Sequence, residues 1–70
     1  MTIDEKLLLI EQVLDVERDT LTEDTMLDTV PQWDSLNILN LQIELTAICP
    51  DVSFDALHEC QTVSDICAMF

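Results

Sequence analysis

The sequence predicts an all-α fold: a small bundle of three main helices plus a short extra helix, with a long loop between the first two. Three observations lead there. The 70 residues include no glycine and only two prolines, Pro31 and Pro50, whereas a β-rich chain of this size needs tight turns that glycine usually supplies. Hydrophobic content is 49%, which suits a packed globule rather than a disordered acidic tail. Apolar residues recur at helical spacing in two long stretches. The length fits a single domain, 1–70, with a core only just large enough to fold without staples.

The elements follow in order. Thr2 and Glu5 form a capping box ahead of the first helix. Ile3, Leu7, Ile10 and Leu14 repeat at its period, with Val13 beside them, and the pattern runs to about Val16. Glu17 and Asp19 are expected to face outward. From Arg18 to Gln32 the period vanishes into "RDTLTEDTMLDTVPQ". A long loop in a compact domain is uncommon and often functional, and Leu21, Met26, Leu27 and Val30 are read as pins holding it across the helices. It lacks the glycine and acidic ladder of an EF-hand. The second helix begins at Asp34 or Ser35 and runs to about Ile48, stopped by Pro50. Its apolar residues form two stripes. Ile38, Leu41, Leu45 and Ile48 make the core side; Leu36, Ile43 and Ala47, bordered by Asn37, Asn40 and Glu44, make a second side that suits a partner. A helical turn is expected around Phe54 to Leu57. Thr62 then caps a last helix with Val63, Ile66 and Phe70 inward. Trp33 is read as a partly buried plug between loop and helices, since tryptophan is seldom left fully exposed.

Charge narrows the function. Fifteen acidic side chains face Lys6 and Arg18 alone, for a formal net charge of −13. Nucleic-acid phosphates and anionic membrane surfaces need Lys and Arg partners, so neither is expected to bind. Proteins with basic patches are the natural partners of such a surface. Cys49, Cys60 and Cys67 are odd in number and contain no C-x-x-C pair, so they read as free thiols of a reducing compartment, with no metal site. "MTIDEK" lacks the apolar run of a signal peptide and "LLLI" is too short to cross a bilayer. A cytoplasmic, monomeric protein is the expectation.

Catalysis needs a constellation that this chain does not offer. A nucleophilic serine needs a base held by a third group. His58, the only histidine, is read as a surface residue on a separate short segment. With no glycine there is no phosphate-cradling loop. No enzyme is expected. Ser35 remains of interest: a helix start carries partial positive charge and unpaired N–H groups, which favour a phosphate ester placed there.

The stretch "QWDSLNILNLQIEL" resembles the "WDSL" attachment signature of the acyl carrier and peptidyl carrier protein superfamily. "LTEDTMLDTV" is similar to that family's acidic loop before the site. "VSFDALHECQTVSDICAMF" is similar to its ending, where T-V opens the last helix. The resemblance spans nearly the whole chain and implies an acyl-carrier-like bundle in a discrete, stand-alone carrier. Ser35 would receive a covalent 4′-phosphopantetheine arm, with Asp34 and Leu36 read by the phosphopantetheinyl transferase. Cargo, acyl or aminoacyl, would ride on the arm as a thioester. Leu36, Asn37, Asn40, Ile43, Glu44 and Ala47 would form the docking face for loading and transfer enzymes with basic patches. Many fatty-acid carriers of the family have acids along this helix, where Asn37, Asn40, Thr46 and Ala47 stand here, and "PQW" replaces the usual glycine. These departures point to a specialised biosynthetic route. The alternative is an acidic helical interaction module, a nucleic-acid mimic or enzyme inhibitor, in which Ser35 is only a helix cap.

Overall fold

The computed structural model describes residues 1–70. Four α-helices and one 3-10 turn carry the regular structure: α1 (Ile3–Leu14), the turn at Leu27–Thr29, α2 (Ser35–Thr46), α3 (Phe54–His58) and α4 (Val63–Cys67). The all-α expectation holds, but the last helix is as short as the third. The bundle has two long helices and two short ones rather than three main ones. α2 packs against α1 and α3, and α1 also packs against α4. No helix is long and apolar enough to cross a membrane.

α1 starts as its sequence directs. The Thr2 hydroxyl accepts the Glu5 N–H at 3.3 Å, and Glu5 Oε1 accepts the Thr2 N–H at 3.1 Å. The helix stops two residues before Val16 because Asp15 turns left-handed, φ 57°. The Val16 N–H then reaches back to the Glu11 carbonyl at 3.1 Å, closing the helix in the manner glycine usually provides. In a chain without glycine, aspartate takes that place because its short polar side chain tolerates the left-handed region. Asp19 does the same at φ 65°. Ile10 and Leu14 are buried and Leu7 half-buried, whereas Ile3 is exposed. Its turn leads the helix, and the row it shares meets the core only from Leu7 onward.

The loop is fastened from three sides. Glu11, 4% exposed, turns a carboxylate inward, and its Oε2 accepts the Leu21 N–H at 3.0 Å. Leu21 and Leu27 bury their side chains, as expected of pins, and Val30 is half-buried. Met26 is not a pin: it is 45% exposed. It forms an isolated antiparallel bridge with Thr62, and along extended backbone neighbouring side chains point to opposite sides, so burial of Leu27 turns Met26 out. Backbone bonds complete the lacing. The Leu27 N–H reaches the Gln61 carbonyl at 2.9 Å, the Val63 N–H reaches Thr25 at 3.1 Å, and the Ser64 N–H reaches Glu23 at 3.0 Å.

The core joins Ile10 and Leu14 of α1, Ile38, Leu41 and Leu45 of α2, Leu57 of α3, and Val63 and Ile66 of α4. α2 ends at Thr46, so Ile48 leaves the helical period and is 49% exposed. Cys49 packs against the core instead. Ser53 caps α3 by accepting the Ala56 N–H at 3.2 Å. A second capping box opens α4: Thr62 Oγ1 accepts the Asp65 N–H at 3.3 Å, and Asp65 Oδ2 accepts the N–H groups of Gln61 and Thr62. Lys6 closes it, its Nζ donating to the Cys67 carbonyl at 2.9 Å and standing 5.2 Å from the Phe70 ring centroid. Phe70 is half-buried.

These contacts set three expected outcomes. Glu11→Ala leaves the Leu21 N–H without its partner and lowers unfolding stability by about 1–3 kcal/mol, while Glu17→Ala on the exposed side changes it little; chemical denaturation measures both. Donation from Gln61 first, and then from Thr62, holds the Asp65 carboxyl below its usual range. Its contribution is therefore present above the ordinary carboxylate value and lost as pH falls through the lowered folded value. The stability gap between wild type and Asp65→Asn accordingly narrows in acid. With a net charge of −13 the fold repels itself, so thermal midpoints at neutral pH rise with added monovalent salt.

Candidate functional site

The start of α2 is built by a turn and a cap. Pro31 takes the second position of a turn closed by the Trp33 N–H to the Val30 carbonyl at 3.0 Å, the position where a fixed φ suits proline. Asp34 is extended, φ −128° and ψ 175°, and its carboxylate accepts the Asn37 N–H at 2.9 Å. Asn37 in turn donates its side-chain amide to the Gln32 carbonyl at 2.7 Å, tying loop to helix. Asp34 therefore carries the cap. Ser35 is the first helical residue, exposed, with its hydroxyl outside every hydrogen bond of the site.

A cavity of about 680 Å³ opens beside it. Its wall combines Leu27 and Asp28 of the 3-10 turn, Trp33, Ser35 and Ile38 around the start of α2, and His58 and Cys60 at the end of α3. Three segments distant in sequence meet here because the loop is laced to the residues before α4. Trp33 is half-buried and packs against the core, as a plug would. His58 is exposed, as its sequence context suggests, but it is not remote from Ser35: both line the same cavity. Its ring stacks on Phe54 with centroids 6.0 Å apart and planes at 27°. The histidine's place was hidden in the sequence because its neighbours are polar and its segment is short. The only signal was its position at the end of a helix that must fold back onto α2.

Burial, followed by the charges of Asp65 and Glu59, pushes the Cys60 thiol up. Burial also raises Cys67. Both are held as thiols at neutral pH, poor nucleophiles by comparison with an activated cysteine. Cys49, Cys60 and Cys67 are all free. No group of three His, Cys, Asp or Glu side chains is arranged to hold a metal ion.

Of the expected docking residues, Leu36 is 68% exposed and Ile43 61%, and Asn40, Glu44 and Ala47 are exposed beside them. The loop does not cover this stripe. Leu39, unassigned in the sequence, joins it as an exposed apolar side chain. Asn37 is half-buried and engaged with Gln32, so it borders the face rather than offering a free amide. Within α2 the only charged residue is Glu44.

No family model matches the chain, no curated protein matches it, and no solved structure matches its fold.

Because Asp34 supplies the cap, Asp34→Ala is expected to lower stability by about 1 kcal/mol, while Ser35→Ala leaves it within a few tenths. Denaturant titration of the two variants side by side makes the comparison. Equal losses would mean that both oxygens cap the helix.

Proposed function

We propose that the chain is a carrier protein, not itself an enzyme. Ser35 holds a 4′-phosphopantetheine arm and the protein presents acyl or aminoacyl cargo to partner enzymes. The observation that carries this reading is the state of Ser35. Its hydroxyl is exposed, free of capping duty, and set at the rim of a cavity. A helix start favours a phosphate ester through its partial positive charge and N–H groups. The alternative gives Ser35 the role of a helix cap, whereas the capping bond at this helix start is accepted by Asp34.

When bound, the arm supplies a terminal thiol on which cargo is held as a thioester. The chain's own residues supply position and restraint. Asp34 and the turn at Pro31 fix the first turn of α2, so the attachment hydroxyl is presented on rigid backbone to a phosphopantetheinyl transferase. Asp34 and Leu36 flank it for recognition. Tethering then delivers one substrate to successive enzymes at high effective concentration.

The face formed by Leu36, Leu39, Asn40, Ile43, Glu44 and Ala47 is the proposed docking surface. Charge elsewhere steers basic partners toward the protein, but the face itself is nearly neutral. That combination suits a dedicated set of loading and transfer enzymes in a specialised biosynthetic route, acting on a monomeric carrier in the cytoplasm.

The test is one mass spectrum. Incubation with coenzyme A and a broad-specificity phosphopantetheinyl transferase adds a single phosphopantetheine to the wild-type chain and none to Ser35→Ala. No mass increase on the wild type overturns the reading, and equal labelling of Ser35→Ala overturns the residue.

A further inference from the structure

We propose that Asn37 is a positioning residue for the attachment hydroxyl: its side-chain amide clamps the turn before α2 and so holds Ser35 in place for modification. The proposal rests on the carrier reading above and adds to it the group that orients the acceptor.

Ser35 is the first residue of α2, in the part of a helix that is most easily lost. The first turn has N–H groups without intrahelical partners, and helix ends fray. The Ser35 hydroxyl lies outside the hydrogen bonds of the site, so whatever holds this turn sets where the hydroxyl points. Asn37 holds it from two sides. Its backbone N–H donates to Asp34 Oδ1 at 2.9 Å, and its side-chain amide donates to the Gln32 carbonyl at 2.7 Å. That carbonyl also accepts the Asp34 N–H at 3.0 Å, so both of its lone pairs are used. Gln32 and Asp34 are thereby fixed on either side of Trp33, immediately before Ser35. No other side chain of α2 bonds to the chain ahead of Asp34.

Burial and chemistry agree with this role. Asn37, Gln32 and Trp33 are half-buried, whereas Asn40, nearly one turn further along α2, is exposed. The two asparagines are therefore used differently: one is engaged within the fold and the other faces outward. The clamp requires an amide. An ionised carboxylate of the same shape is acceptor-only and meets the Gln32 carbonyl with no proton to give. In the transfer, the Ser35 oxygen bonds to the coenzyme A phosphorus that carries pantetheine. The pyrophosphate P–O bond breaks, adenosine 3′,5′-bisphosphate leaves, and the hydroxyl proton passes to a base of the transferase. Such a displacement needs the attacking oxygen in line with the bond that breaks. A loosened turn therefore lowers the rate of the bound complex rather than its affinity.

Kinetics of phosphopantetheine transfer to the full-length chain test this, with coenzyme A and a broad-specificity transferase. Asn37→Leu has nearly the same size without donor or charge, and Asn37→Asp keeps the shape while removing the donor at neutral pH. Both variants lower kcat by at least about tenfold, and Asn37→Leu leaves the KM for the carrier near the wild-type value. Trp33, between the two pinned residues, reports the same loosening, and acrylamide quenches its fluorescence more in both variants. Ser53→Ala removes the cap of α3, loses stability without touching the turn, and keeps the wild-type kcat. A wild-type kcat in either Asn37 variant overturns the proposal while leaving the carrier reading intact. Unchanged quenching of Trp33 in both variants does so as well. A raised KM with unchanged kcat also overturns it, making Asn37 a contact of the transferase, as does an equal fall of kcat in Ser53→Ala. A wild-type chain that takes up no phosphopantetheine overturns both.

Discussion

The loop between α1 and α2 has no helical period, yet the cavity beside Ser35 exists only because that loop is held in place. Its first anchor is a buried carboxylate, Glu11, bonded to the Leu21 N–H. Its second is the ladder-like set of backbone bonds that joins Glu23, Thr25 and Leu27 to Gln61, Val63 and Ser64. Its third is the burial of Leu21 and Leu27. Remove the lacing and Asp28, Trp33 and His58 no longer share a wall. A backbone held this way satisfies its own polar groups without a strand or an α-helix.

Charge is distributed to match. The acidic residues crowd α1, the loop and the segments around α3 and α4, while α2 carries Glu44 alone. A small core under strong self-repulsion benefits from each cap and each counter-charge. Lys6 illustrates this, closing the last turn of α4 and covering Phe70 at once. The side of α2 with Leu36, Leu39 and Ile43 exposes apolar area and has Glu44 as its one carboxylate.

How much of this could be read in the residues varies with the kind of interaction. Local signals were legible. Thr2 with Glu5 and Thr62 with Asp65 lie within one helical turn of each other, and Ile38, Leu41 and Leu45 follow the period of a single helix. α1 ends earlier than its apolar pattern predicts because such a pattern contains no signal for a left-handed Asp15. The apolar period predicts Ile48 inward, but α2 ends at Thr46 and leaves Ile48 exposed. The inward turn of Glu11 and the cavity-side place of the exposed His58 escape the sequence for a different reason. A carboxylate on a helix reads as solvated, and only the loop's path brings the Leu21 N–H to it. A histidine on a short polar segment reads as surface, and only the packing of α3 on α2 brings it to the site. Nonlocal partners made both, and spacing along one chain does not record them.

Amide hydrogen exchange tests the central claim, that the loop is a packed wall rather than a mobile connection. The N–H groups of Leu21, Leu27 and Val63 should exchange as slowly as those of Leu41 and Leu45 at the centre of α2, because all depend on the same cooperative unfolding. Exchange of those three at the rate of the exposed Glu23 and Asp24 N–H groups, with α2 still protected, would contradict it.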